Sequence, residues 1–173
     1  MNKKAQYYIK KLKLKKHKEG GYYKEVYRSG ELILGENLPK RFRSSRNFST
    51  SIYFLLEGKQ FSSFHFLKSD ELWHFYDGCD VILYIINAEG KLSKRIIGRG
   101  GDCRFQTTIE KNSWFAAEIE NKKSFALVGC TVSPGFEFDD LVIGKRTKLI
   151  KQFPRHKRLI EKFTYIQQNN TKA

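Results

Sequence analysis

Apolar and polar positions along the chain alternate in short runs from about Tyr22 to Ile143, and each run ends on turn residues. The run "STSIYFLL" (49–56) stops at Glu57-Gly58, and "FSSFHFL" (61–67) and "ELWHFY" (71–76) stop before Asp77-Gly78. "DVILYII" (80–86) stops at Glu89-Gly90, and "KLSKRII" (91–97) at Gly98 and Gly100-Gly101. "CRFQTTI" (103–109), "SWFAAEI" (113–119), "SFALVGCTV" (124–132) and "FEFDDLVI" (136–143) complete the series. Strands recurring at roughly ten-residue intervals predict an all-β sandwich or barrel. No gap between residues 45 and 143 could hold a crossover helix, which argues against a parallel α/β sheet.

The two ends follow a different period. Tyr8, Ile9, Leu12 and Leu14 have a helical spacing that stops before Gly20-Gly21. Leu149, Ile150 and Phe153 precede Pro154, which suits the start of a second short helix carrying Leu159, Ile160 and Phe163. The chain therefore divides into a basic N-terminal helix (1–18), a β-barrel (22–143), basic C-terminal helices (144–166) and a frayed polar tail (167–173), all in one domain.

Charge changes the picture less than its total suggests. The net charge is +15, but residues 1–18 and 144–173 each contribute +8, leaving the central body near neutral. Solvated helix faces account for such termini, and no nucleic-acid module accompanies them, so nucleic acid is only the lesser alternative partner. The longest apolar run, "VILYII" (81–86), is far short of a membrane span, and the basic N-terminus lacks an apolar segment after it. Cys79, Cys103 and Cys130 form neither a C-x-x-C nor an even set, which points to reduced thiols in a cytoplasmic protein.

Candidate chemistry concentrates in "FSSFHFLKSDELWHFYDG" (61–78). Strand alternation puts Ser63 and His65 on one face of 61–67, and Glu71 and Trp73 on one face of 71–76. If the two strands form a hairpin through "KSD", His65 and Glu71 share the barrel mouth, where an imidazole and a carboxylate shift each other's pKa and make a proton-transfer pair. The plain structural alternative for His65 is a hydrogen-bonded core histidine. His74 falls on the face opposite Glu71.

The spacing Gly58, His65, Glu71, Gly78 resembles the first motif of the cupins, small jelly-roll barrels. In metal-binding cupins that motif reads H-x-H-x(3,4)-E, and a second, P-x-G-x-x-H, supplies a third histidine. Leu67 stands at the second histidine position, and "EKNSWF" places Glu110, Asn112 and Phe115 at the Pro, Gly and third His. Five blocks, "HKEGGYYKEVYRS" (17–29), "STSIYFLLEG" (49–58), the 61–78 stretch, "ALVGCTVSPGFEFDD" (126–140) and "FPRHKRLIEKFT" (153–164), are similar to cupin superfamily 5. That uncharacterised family is described as RmlC-like, after a dTDP-sugar epimerase.

The resemblance implies an RmlC-like cupin jelly-roll β-barrel with the terminal helices packed outside. It also implies a homodimer paired through its sheets. A small, carbohydrate-like ligand would then meet His65 and Glu71 as catalytic candidates, lined by Ser63, Trp73, Tyr53, Phe115 and His74. Tyr84 is a second candidate phenol beside Tyr53. With hydrophobic residues at two ligand positions, no metal or other cofactor is expected. The function expected is metal-independent acid/base epimerisation or isomerisation; the alternative is a non-catalytic ligand-binding or sensory barrel.

Overall fold

The computed structural model describes residues 2–166; the expected tail at 167–173 lies outside them. Thirteen strands are described: β1 (Lys15–Lys16), β2 (Tyr22–Arg28), β3 (Leu32–Ile33), β4 (Arg46–Asn47), β5 (Thr50–Glu57), β6 (Phe61–Leu67), β7 (Asp70–Gly78), β8 (Val81–Ile86), β9 (Leu92–Ile97), β10 (Gln106–Ile109), β11 (Trp114–Ile119), β12 (Phe125–Ser133) and β13 (Leu141–Ile143). Helix α1 (Lys3–Lys11) precedes them, and α2 (Arg146–Gln152) and α3 (Lys157–Lys162) follow.

The strands form a six-stranded sheet, ordered β1-β2-β5-β12-β7-β10, and a five-stranded sheet, ordered β13-β6-β11-β8-β9. From β5 to β8 and again from β10 to β13, the chain mostly steps from one sheet to the other, so sequence neighbours face each other across the interior. Alternation supplies the apolar faces. Phe54, Leu56, Trp73, Phe75, Leu83, Phe115, Val128 and Cys130 point between the sheets and form the main core.

Each sheet also buries part of its outer face. Beneath α1, Leu55, Phe125 and Leu127 pack with Ala5 and Leu14. Beneath α2 and α3, Phe64, Ile86 and Ala116 pack with Leu149, Phe153, Ile160 and Phe163. The apolar stripes of the basic termini thus lie on the barrel. No helix of the described residues is long and apolar enough to cross a membrane.

The N-terminal helix is shorter than the sequence spacing predicts. It ends at Lys11, Lys13 turns left-handed at φ 53°, and Lys15–Lys16 joins the sheet edge against Tyr22 and Tyr23. The run 136–143 also differs from one strand: Phe138–Asp140 is a 3₁₀ turn, and only Leu141–Ile143 pairs, with β6. That turn serves the β3–β4 arm. Asp140 there receives two charge-assisted bonds from Arg46, at 2.6 and 2.8 Å.

Candidate functional site

His65 faces inward because β6 is not a regular strand. Against β11, His65 pairs with Phe115 but Ser62 pairs with Ala117, so three steps of β6 match two of β11. This β-bulge puts Phe61 and Phe64 together on the outer face, packed under α3. Ser62 and His65 both turn inward, where the Ser62 hydroxyl donates to Glu19 at 3.0 Å. Strict alternation selects Ser63 as His65's facing partner; the bulge gives that place to Ser62. The Ser63 hydroxyl is buried without a partner among the described residues.

Glu19 arrives from outside the sheets' main strands. The segment before β2 closes a turn in which His17 N–H donates to Gly21 O at 3.1 Å and Gly20 N–H donates to His17 O at 3.2 Å. Glu19 O then accepts from Ser63 N–H at 2.8 Å, stitching the segment to the bulge. Gly20 makes this approach possible. Its φ is +113°, and a Cβ there would lie 2.2 Å from Phe61 O.

The result is a buried polar cluster. Glu19 Oε2 lies 3.1 Å from His65 Nε2 and 3.5 Å from His17 Nδ1. On the other side of the ring, His65 Nδ1 is 2.7 Å from Ser63 O. A carbonyl only accepts, so Nδ1 carries a proton. Nε2 and Glu19 Oε2 would then be two acceptors facing each other unless a second proton lies between them. One proton is therefore shared, as carboxylic acid and imidazole or as carboxylate and imidazolium. Burial raises the Glu19 pKa, opposed by His17 and the Ser62 hydroxyl. It lowers that of His65, opposed by Glu71 and the Ser63 carbonyl.

Glu71 enters from β7, in the opposite sheet, where it pairs with Val132 and Ile109. The expected β6–β7 hairpin does not exist; the "KSD" connection bridges the two sheets, and His65 and Glu71 reach the same interior from facing walls. Burial, then repulsion from Glu19, pushes the Glu71 pKa up to about 7 against the opposing pull of His65. Trp73 Nε1 and the Cys130 thiol adjoin its carboxyl and favour the charged form weakly. Neither closes a well-formed hydrogen bond, since Glu71 Oε2 and Trp73 Nε1 are both buried without partners among the described residues.

These groups lie at the inner end of a cavity of about 440 Å³ lined also by Tyr23, Thr50, Ile52, Leu67, Cys130 and Phe138. The family description "Cupin superfamily (DUF985)", Cupin_5, matches residues 6–143. The chain belongs to this cupin family. Among solved structures, a Shewanella oneidensis protein is 35% identical with TM-score 0.84, covering 94% of this chain and 98% of that one. A hypothetical protein from Leishmania major is 28% identical with TM-score 0.83, covering 94% and 99%. Oxalate decarboxylase from Bacillus subtilis, at 14% identity and TM-score 0.54, covers 86% of this chain and 36% of its own, and shares the jelly-roll fold alone. None of the curated proteins matches the chain.

Of the candidates named from sequence, His65 and Glu71 line this cupin's cavity. Trp73 and Phe115 sit behind it in the core, with the Phe115 ring 4.1 Å from that of His65. Tyr53 and His74 are not brought to it. Tyr53 packs under α1 on the outer face of its sheet, 5.9 Å from Tyr76. His74 is an even-numbered neighbour of Tyr76 on β7, on the face opposite Glu71 and Trp73. Tyr84 is also outside, donating to Glu118 at 3.0 Å with its pKa pushed up to about 12 by burial and that bond.

The tyrosine at the cavity is Tyr23, packed edge-on against His17 at 4.5 Å. Sequence reasoning missed Glu19, His17 and Tyr23 because they precede the strands that carry the motif. The only local signal is Gly20-Gly21, which marks a tight turn and a close backbone approach just after His17 and Glu19.

Metal-binding cupins would place an ion near His65. The residues here do not fit one. Leu67 and Phe115 offer no donor, and His65 Nε2 already faces Glu19 at 3.1 Å. Among the described residues no three His, Cys, Asp or Glu side chains converge as ligands.

Proposed function

We propose that this cupin binds a polar, carbohydrate-like small molecule in the barrel and moves a proton on it by acid/base chemistry, as in epimerisation or isomerisation. The observation that carries the reading is the 3.1 Å contact between Glu19 Oε2 and His65 Nε2, facing a second carboxyl, Glu71, whose pKa, pushed up to about 7, suits proton transfer near neutral pH. In its ionised form Glu71 takes a proton from carbon beside a carbonyl. The electron pair of that C–H bond moves into the carbonyl, and its oxygen receives the proton held by His65 and Glu19. Reversal, with the proton returned to carbon, completes the exchange.

The test is proton exchange in D₂O. Purified protein is incubated with a panel of aldoses, ketoses and their phosphates, and deuterium incorporation at carbon is followed by NMR. Enzyme-dependent incorporation that falls by about 10²-fold or more in Glu71→Gln supports the reading. Binding without incorporation, weakened by the same variant, favours the non-catalytic ligand-binding barrel.

A further inference from the structure

The basic N-terminal segment does more than coat the barrel. Two of its lysines, Lys13 and Lys15, reach the rim of the cavity and meet Lys24 and Arg28 from β2. The acids at the same rim, Glu25 and Glu137, are both bound to Arg28, at 2.9 and 2.7 Å. Among the described residues, none of Lys13, Lys15 and Lys24 is in an ion pair. Four cations and two acids leave the rim with a net charge of +2, with three ammonium groups outside any ion pair, above an interior lined by two carboxyls.

Lys13 holds its place at a cost. It occupies the C′ position of α1, where Leu14 N–H donates to Ile9 O at 2.9 Å and Lys13 N–H to Lys10 O at 3.3 Å. This Schellman closure needs left-handed backbone at C′, a position that strongly favours glycine. Lysine there, at φ 53°, is worse for the helix end than glycine. The side chain it supplies points to a use at the cavity rim.

We propose that the ligand carries an oxyanion group, a phosphate or a carboxylate, which Lys13, Lys15 and Lys24 hold at the rim while its uncharged, hydroxyl-bearing part occupies the interior. The polarity of the cavity fixes this orientation. An anion carried down to Glu19 and Glu71 would meet two carboxyls in a buried site, whereas at the rim it meets lysines. Lysines act as point charges and accept either oxyanion, so phosphate and carboxylate share the recognition. The inference rests on the reading of this cavity as the ligand site, and it says which end of the ligand faces out.

The test uses isothermal titration calorimetry at low ionic strength with inorganic phosphate, glucose 6-phosphate, glucuronate and glucose. Wild-type protein should bind glucose 6-phosphate or glucuronate more tightly than glucose, and the arm that does so identifies the oxyanion. Each of Lys13→Gly, Lys15→Gln and Lys24→Gln should weaken binding roughly threefold, and the triple variant more than tenfold, with a shallower salt dependence. Lys13→Gly should do so while keeping or raising Tm, which a merely structural lysine would not. Lys148→Gln/Lys151→Gln on α2 should leave affinity unchanged. Equal affinity of the triple variant and wild type, or an equal loss in the α2 control, overturns the proposal. So does the absence of oxyanion binding by wild type. Inorganic phosphate reads the rim without any turnover, so this outcome and the deuterium-exchange outcome can fail separately.

Discussion

Glu19 Oε2 and His65 Nε2 face each other at 3.1 Å, while the far nitrogen of the same imidazole is bound to the Ser63 carbonyl at 2.7 Å. Because the carbonyl takes one proton, the carboxyl–imidazole contact must hold another. Two backbone devices make the arrangement: a bulge in β6 that turns Ser62 and His65 to the same side, and a glycine that lets Glu19 follow the strand closely.

Glu19→Gln tests the shared proton. An amide nitrogen can donate to His65 Nε2 and its oxygen can still accept from Ser62, so folding should be retained. The transferable proton is gone. Turnover in the deuterium-exchange assay should fall by about 10²–10⁴-fold, and the alkaline limb of the pH–rate profile should disappear. A profile identical to wild type would remove Glu19 from the proton relay.

Glu71 should make the fold less stable at higher pH. Its pKa is about 7 in the folded protein, against 4.5 for the free group. An acid raised on folding contributes stability that is complete below the unfolded pKa and lost as pH rises through the folded one. Between about pH 4.5 and 7 that amounts to about 3 kcal/mol. The burial-lowered pKa of His65 acts in the opposite direction, with stability lost as pH falls below the unfolded imidazole pKa, so wild type alone will not isolate the effect. The difference between wild type and Glu71→Gln does. Urea titrations should show the variant gaining about 2–3 kcal/mol relative to wild type between pH 5 and pH 8. A difference that does not change with pH would show Glu71 ionising normally.

Much of the fold could be read from alternation, because a strand buried on one face writes that face into every second residue. The same rule failed at β6. Ser62 replaces Ser63 at the cluster since a bulge adds one residue, marked in the sequence only by the three-residue spacing of the outward Phe61 and Phe64. It also cannot say which sheet a strand joins, so His65 and Glu71 could be paired from sequence only as a hairpin, whereas they come from facing sheets. Glu19 was harder still. Its role depends on a tertiary contact between the segment before β2 and the β6 bulge, and local sequence there reads only as a glycine turn.

Gly20→Ala should separate that turn from an ordinary one. The added Cβ meets Phe61 O at 2.2 Å, and the backbone already has φ +113°. Loss of about 2–4 kcal/mol is expected from strain and displacement together, with Glu19 drawn away from His65. Gly30→Ala is the control, having open space around its Cβ and no left-handed backbone, and should change stability by less than about 0.5 kcal/mol. Thermal melts of the two variants decide the matter; similar Tm values would mean that the 17–21 segment shifts freely.

The last prediction concerns the arm beside the cavity. Arg46 is only 1% exposed, and its guanidinium binds both oxygens of Asp140, at 2.6 and 2.8 Å. Its other terminal nitrogen, Nη1, donates to Ser44 O, Ser44 Oγ and Ser45 O. Lys68 Nζ adds a second cation 3.3 Å from Asp140 Oδ1. The pair fastens β4 to the turn that carries Phe138 into the cavity wall. Removing one member strands the other in a dry site, which costs about 3–5 kcal/mol, whereas replacing both with apolar residues of similar volume avoids that penalty. Asp140→Leu should therefore destabilise strongly. Arg46→Met/Asp140→Leu should recover most of the loss, and Arg46→Lys should recover little because it lacks the planar fork. In limited trypsin digestion, Asp140→Leu should be cut first at the exposed Lys40 and Arg43 of the arm, before any cleavage in the barrel strands. Additive losses in the double variant, with no preferential cleavage at the arm, would show that the ion pair does not hold the arm in place.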